Sequence, residues 1–316
     1  HVNAWGVPYF APMVGAKIVF PGPKLDGESL AELINNEGVT EAWGVPTVWL
    51  GLLGHMRKTE QKFTSLKRVL IGGSAAPRAM MREFQEKYGV EGLQGWGMTE
   101  MSPIGTVSMI RPKDADLPLD RQFDIKAKQG RAVFGVEMKI VNDDGQALPR
   151  DGKSFGELLV RGPAIISGYY ENPEASAKAF DSEGWFRTGD VSKIDPEGYM
   201  EIVDRTKDVI KSGGEWISSI DLENEAVGHP EIAEAAVIAV HHPKWDERPL
   251  LVVVREPDSQ LDKQGVIDYL SQRVAKWWLP DDVVFVDELP HGATGKLQKA
   301  KLREQFKDYS LPEVGG

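Results

Sequence analysis

The chain of 316 residues contains no cysteine. This absence excludes a disulfide framework, a thiolate metal site and a cysteine nucleophile, and it suits the cytoplasm, where we expect the protein to reside. Long apolar runs are missing as well, because no stretch approaches the roughly 18 residues that a membrane-spanning helix needs. No leader with a charged start and an apolar continuation is evident.

Positive charge is scarce relative to negative charge. The chain has 48 acidic and 37 basic residues, for a formal net charge of −11. Such a field opposes non-specific binding to nucleic acid or to anionic membranes, although a local basic pocket for a phosphate-bearing ligand stays open. Hydrophobic residues make up 41% and charged residues 27% of the chain. These proportions are ordinary for a globular protein, and the length predicts two or three domains.

The first 129 residues alternate short apolar runs with amphipathic stretches. This alternation predicts an α/β layer with parallel strands. We expect strands at Lys17–Phe20, Ala42–Val45 and Arg68–Ile71, and helices at Leu25–Glu37, Pro46–Arg57 and Pro77–Lys87.

From residue 130 the pattern changes to strands that are joined by turns. The turn sequences at residues 142–145 and 195–198 each separate two apolar runs, which predicts a small antiparallel β subdomain over residues 130–204. Its expected strands are Met138–Val141, Gln146–Pro149, Gly156–Arg161, Val191–Ile194 and Tyr199–Val203. Residues 205–316 predict an α+β domain with helices Ser219–Val227 and Gly265–Ala275 and strands Ala235–Val240, Leu250–Val254 and Val283–Val286.

Two segments of the first region could bind a nucleotide. Gly72, Gly73, Ser74 and Ala75 follow a predicted strand, and such small residues let a ligand approach the backbone closely. A plain tight turn explains this segment equally well, and on its own is the simpler interpretation. The run from Gln94 to Glu100 offers an aromatic face, a hydroxyl for a phosphate and a carboxylate for Mg²⁺. A strand end followed by a capped turn is the alternative.

Two later segments add polar groups of the same kind. Arg187-Thr188-Gly189-Asp190, followed by Asp204-Arg205, places a carboxylate where it could accept two ribose hydroxyls, or it is a surface turn. The run from Leu289 to Leu297 contains a glycine-containing loop that leads to Lys296. The positive charge of this lysine could neutralise the negative charge that develops on a phosphate. It is not a Walker A loop, because Pro290 and Leu297 stand where that motif needs Gly and Ser or Thr.

Taken together and in this order, the four segments resemble the adenylate-forming superfamily, which includes acyl-CoA synthetases, firefly luciferase and nonribosomal adenylation domains. The tract Asp204–Glu215, with the sequence DRTKDVIKSGGE, also falls in family order. Segments His1–Gly6, Pro21–Asp26 and Gly214–Ser219 look most like fatty-acyl-CoA ligases of the medium- and long-chain type. The resemblance covers essentially the whole chain.

The resemblance implies a fold and an extent. Residues 1–129 would be the remainder of a large N-terminal α/β domain, 130–204 its antiparallel β subdomain, and 205–316 a small mobile α+β domain with a hinge near Lys207. Such ligases carry an upstream Ser/Thr/Gly-rich phosphate loop that ends in Lys, and no such tract occurs in this sequence. We therefore expect the chain to be the C-terminal part of a larger ligase, inactive alone.

The resemblance also implies substrates and roles. ATP, Mg²⁺, CoA and a fatty acid would be used to make acyl-AMP and then acyl-CoA. The implied catalytic residues are Lys296, Thr99, Glu100 and His1, with Glu100 as the metal ligand. The implied nucleotide-binding residues are Gly73, Ser74, Ala75, Gly95, Trp96, Thr99, Asp190 and Arg205. Lys211, Gly213 and Gly214 would line the passage for CoA, and Trp5, Val45, Thr47, Gly72 and Ile104 the acyl pocket.

Two other functions stay open at this point. One is a fatty-acyl-AMP ligase that delivers its product to a carrier protein, and the other is a non-catalytic nucleotide- or acyl-binding remnant. We expect no nucleic-acid partner and no transmembrane segment, and a homodimer stays open.

Overall fold

A computed structural model describes residues 2–292 and 297–312 of the chain. The chain divides into two compact units. The first comprises the residues up to Thr188 together with Ser192–Ile202, and the second comprises Gly189–Val191 and the residues from Val203 onward. The predicted α/β class is confirmed by the mixture of sheets and helices. The predicted domain limits at residues 129 and 204 stay predictions.

The first unit is built on a five-stranded sheet in the order β1-β2-β3-β4-β5. Its strands are β1 (Glu41–Gly44), β2 (Arg68–Ile71), β3 (Glu91–Gly97), β4 (Ile104–Val107) and β5 (Arg131–Ala132). Strands β1, β2 and β3 run parallel, whereas β4 is antiparallel to both β3 and β5. The carboxyl ends of β2 and β3 therefore meet at one edge of the sheet.

Helices cover this sheet through apolar side chains. The helices of the first unit are α1 (Val7–Met13), α2 (Gly27–Asn36), α3 (Pro46–Thr59), α4 (Arg78–Tyr88), α5 (Leu119–Lys126) and α6 (Pro173–Ala179). Helix α2 begins where Asp26 Oδ1 accepts a hydrogen bond from Ser29 N at 2.9 Å, which lowers the pKa of Asp26. Leu30, Leu52 and Phe84, from α2, α3 and α4, are buried in one core with Val69 and Ile71 of β2.

A four-stranded sheet follows, in the order β6-β7-β8-β9. Its strands are β6 (Glu137–Val141), β7 (Phe155–Arg161), β8 (Phe186–Ile194) and β9 (Met200–Arg205). The predicted strand Gln146–Pro149 is wrong: the segment forms only an isolated bridge, between Ala147 and Val141, because Pro149 has no N–H to continue a ladder. The predicted strand Lys17–Phe20 is also wrong, since these residues are irregular and Phe20 is exposed.

The second unit is a sheet of five strands with helices packed on it. Strands β10 (Ile210–Ser212), β11 (Glu215–Ile217), β12 (Ile232–His242) and β13 (Asp246–Arg255) lie in the order β11-β10-β13-β12, and β14 (Asp282–Phe285) pairs with β13. The helices are α7 (Ser219–Val227), α8 (Lys263–Ser271) and α9 (Lys299–Gln305). Helix α8 ends four residues before its predicted end at Ala275.

Among the described residues, no helix is both long and apolar enough to cross a membrane.

Candidate active site

The loop after β2 brings four of the predicted residues together. A Cβ placed on Gly72 would lie 3.1 Å from the ring of Trp5, and one on Gly73 would lie 3.1 Å from Val45 Cγ1. Gly73 has a φ of +82°, a conformation that favours glycine. The aromatic ring and the valine side chain therefore pack directly on the two glycines, with no room for side chains between them.

Gln94 holds this loop from the neighbouring strand β3. Its side chain is 1% exposed, and Oε1 accepts a hydrogen bond from Ala76 N at 2.6 Å. Its Nε2 donates to the carbonyl of Ala127 at 3.4 Å. The sequence pattern includes Gln94 as the first residue of the candidate segment Gln94–Glu100, but it assigns this residue no role of its own.

The turn at the end of β3 is tightly packed. A Cβ on Gly97 would lie 2.0 Å from the Pro103 carbonyl oxygen, so only glycine fits without a backbone shift. Gly105 faces the ring of Trp96 in the same way, at 2.6 Å. Trp96 itself is 8% exposed and belongs to the hydrophobic core that extends to β6 and β7. The aromatic face that the sequence offers at Trp96 is therefore mostly covered by the protein's own side chains.

Thr99 and Glu100 lie just past that turn, in a short 3-10 helix that spans Thr99–Met101. Thr99 is exposed and Glu100 is half-buried. Tyr169 donates a hydrogen bond from its hydroxyl to Glu100 Oε1 at 3.0 Å. Burial, and then the carboxylate of Glu100, raise the pKa of Tyr169. Tyr169 is a neighbour of the candidate metal ligand that the sequence did not indicate, because 69 residues separate the two.

The other two acyl-pocket residues lie apart from the glycine loop in the chain. Thr47 is exposed in the first turn of α3. Ile104 begins β4 and is paired with Gly97, which places it beside the turn that leads to Thr99. The first unit thus places the two candidate nucleotide-binding segments, residues 72–75 and 94–100, at the carboxyl ends of the adjacent parallel strands β2 and β3.

The candidate ribose pair belongs to the second unit. Arg205 Nε lies 2.8 Å from Asp190 Oδ1. Asp190 is fully buried, whereas about half of the Arg205 side chain is exposed. Gly189 has a φ of +71°, and its carbonyl accepts a hydrogen bond from Thr206 N at 2.9 Å. A ribose hydroxyl can reach the carboxylate of Asp190 only after the surrounding side chains rearrange.

Lys207, the predicted hinge, is exposed in the turn between β9 and β10. The carbonyl of Arg205 closes this turn by accepting hydrogen bonds from Asp208 N at 2.9 Å and Val209 N at 2.8 Å. Its role as a hinge stays a prediction.

The candidate CoA passage is a two-residue hairpin. Ser212 pairs with Glu215 across Gly213 and Gly214, whose φ values are +59° and +90°. A Cβ on Gly213 would lie 2.8 Å from the ring of Trp245. Lys211 Nζ lies 4.8 Å from the centre of the Trp216 ring. The glycines thus allow both the turn and the close packing of the tryptophan.

His1 and Lys296 lie outside the described residues. Over residues 2–292 and 297–312, no group of three or more His, Asp or Glu side chains could hold a metal ion. Whether Glu100 holds a cation stays a prediction.

Two family profiles match this chain, one over its first half and one within its second half. The sequence profile of the AMP-binding enzyme family matches residues 1–170, and that of the AMP-binding enzyme C-terminal domain matches residues 221–296. The chain belongs to the AMP-binding enzyme family.

Characterised relatives are similar over almost all of this chain. A 3-methylmercaptopropionyl-CoA ligase of Ruegeria lacuscaerulensis is 53% identical, covering 98% of this chain and 57% of the relative. A medium-chain-fatty-acid–CoA ligase of Ectopseudomonas oleovorans is 52% identical, covering 98% and 56%. The chain thus spans little more than half the length of these relatives.

A solved structure shows the same fold. The o-succinylbenzoate-CoA synthetase MenE of Bacillus subtilis, in complex with its acyl-adenylate intermediate, matches with a TM-score of 0.81 and 29% identity. The match covers 99% of this chain and 60% of MenE.

Proposed function

We propose that this chain carries the adenine-, ribose- and CoA-binding parts of an AMP-forming acyl-CoA ligase that acts on a medium- or long-chain fatty acid. The observation that carries the proposal is the meeting of two glycine-containing segments, residues 72–75 and 94–100, at the carboxyl ends of the parallel strands β2 and β3. In open α/β sheets, ligands bind in the crevice outside the carboxyl ends of strands. The identity with acyl-CoA ligases supports the reaction.

The first half-reaction joins a fatty acid to AMP. The carboxylate attacks the α-phosphorus of ATP and pyrophosphate leaves, so the residues must position two anions and neutralise their charge. We assign Gly73, Ser74 and Ala75 to one wall for adenine, and Trp96 and Gly95 to its border. Asp190 and Arg205 bind the ribose hydroxyls.

A second set of residues binds the phosphate and neutralises its charge. Thr99 donates its hydroxyl to the α-phosphate, and Lys296, assigned by its motif, neutralises the charge that develops during attack. His1 lies near the carboxylate by the same resemblance. Glu100 is the residue that would hold Mg²⁺: one of its oxygens accepts from Tyr169, and its carboxylate is the hard ligand that this cation prefers. The cation would neutralise phosphate charge.

The second half-reaction releases AMP. The thiol of CoA attacks the acyl carbonyl, and AMP leaves with the electron pair of the broken C–O bond. We propose that rotation at Lys207 withdraws Lys296 and brings Lys211, Gly213 and Gly214 to the site. The two-residue turn supports this role, since a backbone without side chains lets a thin pantetheine arm pass.

The acyl chain would lie against the apolar side chains at the glycine loop. Trp5 and Val45 pack on Gly72 and Gly73, and we propose Thr47 and Ile104 as further walls. A short thioether acid is a second candidate substrate, because the 3-methylmercaptopropionyl-CoA ligase is as similar as the medium-chain enzyme. One methylene changes selectivity by only about 1–3 kcal/mol, so a substrate panel is needed.

Catalysis by the 316 residues alone is not expected. The sequence contains no Ser/Thr/Gly-rich phosphate loop to hold the β- and γ-phosphates, and misplacement of about 1 Å can cost 10²-fold in rate. We propose that the chain alone shows no carboxylate-dependent ATP–pyrophosphate exchange, and that joining such an upstream segment restores exchange. Exchange by the chain alone would contradict this part of the proposal.

The half-reactions test the function in the joined protein. Lys296→Ala should lower acyl-AMP formation by about 10²–10³ and largely spare thioester formation from supplied acyl-AMP. Equal losses in both would contradict the assignment. Supplying a carrier protein in place of CoA tests the alternative acceptor, and activity with the carrier alone would favour a fatty-acyl-AMP ligase. A cytoplasmic location and a homodimer stay predictions.

A further inference from the structure

A cluster of buried charges in the second unit has no part in the function proposed above. It consists of Asp204 at the end of β9, Glu223 on α7 and Lys299 at the start of α9. Asp204 is fully buried, and only 15% of the Glu223 side chain and 11% of the Lys299 side chain are exposed. Two carboxylates and one ammonium group thus share a site that water hardly reaches.

Lys299 ties α9 to α7. Its Nζ donates a hydrogen bond to Ser219 Oγ at 2.6 Å and lies 2.6 Å from Glu223 Oε1. The same oxygen of Glu223 accepts a hydrogen bond from Val237 N of β12 at 2.7 Å. The lysine therefore connects three elements of the unit through one ammonium group.

Ser219 passes this connection on to the end of β9. Its backbone N–H donates to Asp204 Oδ2 at 2.6 Å. The other carboxylate oxygen, Asp204 Oδ1, accepts a hydrogen bond from Arg205 N at 2.7 Å. Next to it, Ser218 Oγ donates to the Val203 carbonyl at 2.7 Å. The backbone on both sides of Asp204 is thus fixed by the start of α7.

Burying these charges is costly, and burial raises the pKa of both Asp204 and Glu223. A cluster of apolar side chains would stabilise the fold at least as well. What the charged cluster adds is a defined geometry, because each hydrogen bond fixes the position of one atom relative to another. Its last fixed atom is the backbone nitrogen of Arg205, whose side chain reaches Asp190.

We propose that Lys299 is a positioning residue for the ribose site: through Ser219 and Asp204 it fixes the backbone of Arg205, and so the guanidinium group at Asp190. The inference rests on the proposed function, in which Asp190 and Arg205 bind the ribose hydroxyls. Lys299 touches no substrate in this account. Its effect is on how strongly the ribose hydroxyls are recognised.

The test compares two nucleotides on the 316-residue chain. AMP carries both ribose hydroxyls and 2′,3′-dideoxy-AMP carries neither, so the ratio of their dissociation constants measures ribose recognition alone. Lys299→Met should weaken AMP about tenfold, close to the loss of one hydrogen bond to a charged group, and leave dideoxy-AMP unchanged. Lys299→Arg should restore part of the ratio. Lys263→Met, an exposed lysine paired with Asp282, is the control and should keep the original ratio.

The outcomes separate this inference from the function on which it rests. A merely structural role would weaken both nucleotides alike or lower only the melting temperature, and an unchanged ratio in Lys299→Met would overturn the inference while the ribose site stands. Equal binding of the two nucleotides by the unsubstituted chain would overturn the ribose assignment and the inference together. If Lys299→Met does not fold, Ser219→Ala breaks the same connection and should lower the ratio; an unchanged ratio there overturns the inference.

Discussion

The two units shape their candidate sites by different physical means. In the first unit, the turns after β2 and β3 require glycine, which has no side chain. A Cβ on Gly97 would lie 2.0 Å from a carbonyl oxygen, and the ring of Trp5 packs on Gly72. In the second unit, the surroundings of Asp190 depend on buried charges and their hydrogen bonds. We therefore expect a single added atom to disrupt a site of the first kind, whereas the loss of one charge or hydrogen bond should weaken ligand binding at a site of the second kind only in part.

The largest effect is expected for Gly97→Ala. The added methyl group collides with the Pro103 carbonyl, so the turn that carries Thr99 and Glu100 must shift. Overpacking of this kind costs about 1–3 kcal/mol in stability. AMP affinity should fall by about 10²-fold or more, as for the loss of two hydrogen bonds to a charged group, because the displaced turn no longer presents Thr99 and Glu100 to the nucleotide. Titration calorimetry and thermal unfolding measure both quantities.

Gly51→Ala is the matched control for that substitution. Gly51 lies inside α3 with no atom within 4 Å of the position of an added Cβ. Alanine should leave AMP affinity unchanged and raise stability by about 0.5–1 kcal/mol through its helix propensity. If Gly97→Ala behaves like Gly51→Ala, steric exclusion does not shape the first site.

A smaller loss is expected in the second unit for Asp190→Asn. The substitution removes the charge that pairs with Arg205 but keeps the size of the side chain. AMP affinity should fall by about ten- to a hundredfold, as for one or two hydrogen bonds to a charged group. Asp268→Asn, an exposed carboxylate on α8, should have no effect. Equal affinities for all three proteins would show that Asp190 does not bind the nucleotide.

The smallest effect concerns an exposed ion pair of the first unit. The guanidinium of Arg111, and then Lys113, lower the pKa of Glu197 to about 2 from 4.5. A lowered pKa contributes stability above pH 4.5 that is lost as the pH falls towards 2. Glu197→Gln should therefore flatten the fall of the melting temperature across this window, by a few °C at most. Glu174→Gln, in an exposed pair with Lys178, serves as control; equal slopes for the two variants would contradict the assignment.

The elements that the sequence predicted well carry strong local signals. Strand β2 and helix α7 have their predicted bounds. The strand coincides with a short apolar run, and the structure shows that the helix begins at a cap in which the Ser218 side chain accepts from Asp221 N at 3.0 Å. Lys17–Phe20 has the same apolar character as β2 but forms no strand. An apolar run forms a strand only if another strand pairs with it, and the local sequence does not show whether such a partner strand exists.

The candidate site divides in the same way. Close approach at Gly72 and Gly73 follows from residue type, and the structure brings Trp5 and Val45 to them. The flat face expected of Trp96 is mostly buried. This burial could not be predicted, because the sequence does not show which side of β3 the core covers. Nothing in the sequence pattern indicates that Glu223 and Lys299 are buried, since their burial comes from elements far apart in the chain.

The most direct test of the account is a hydrogen-exchange footprint of the 316-residue chain with a non-hydrolysable fatty acyl-AMP analogue. The account predicts slower exchange at residues 72–76, 95–101 and 189–191, the segments assigned to adenine, phosphate and ribose. Segments remote from these, such as α8, should exchange as before. Binding of the analogue without protection of the segments after β2 and β3, or with protection elsewhere, would contradict the claim that this chain holds the nucleotide site of an acyl-CoA ligase.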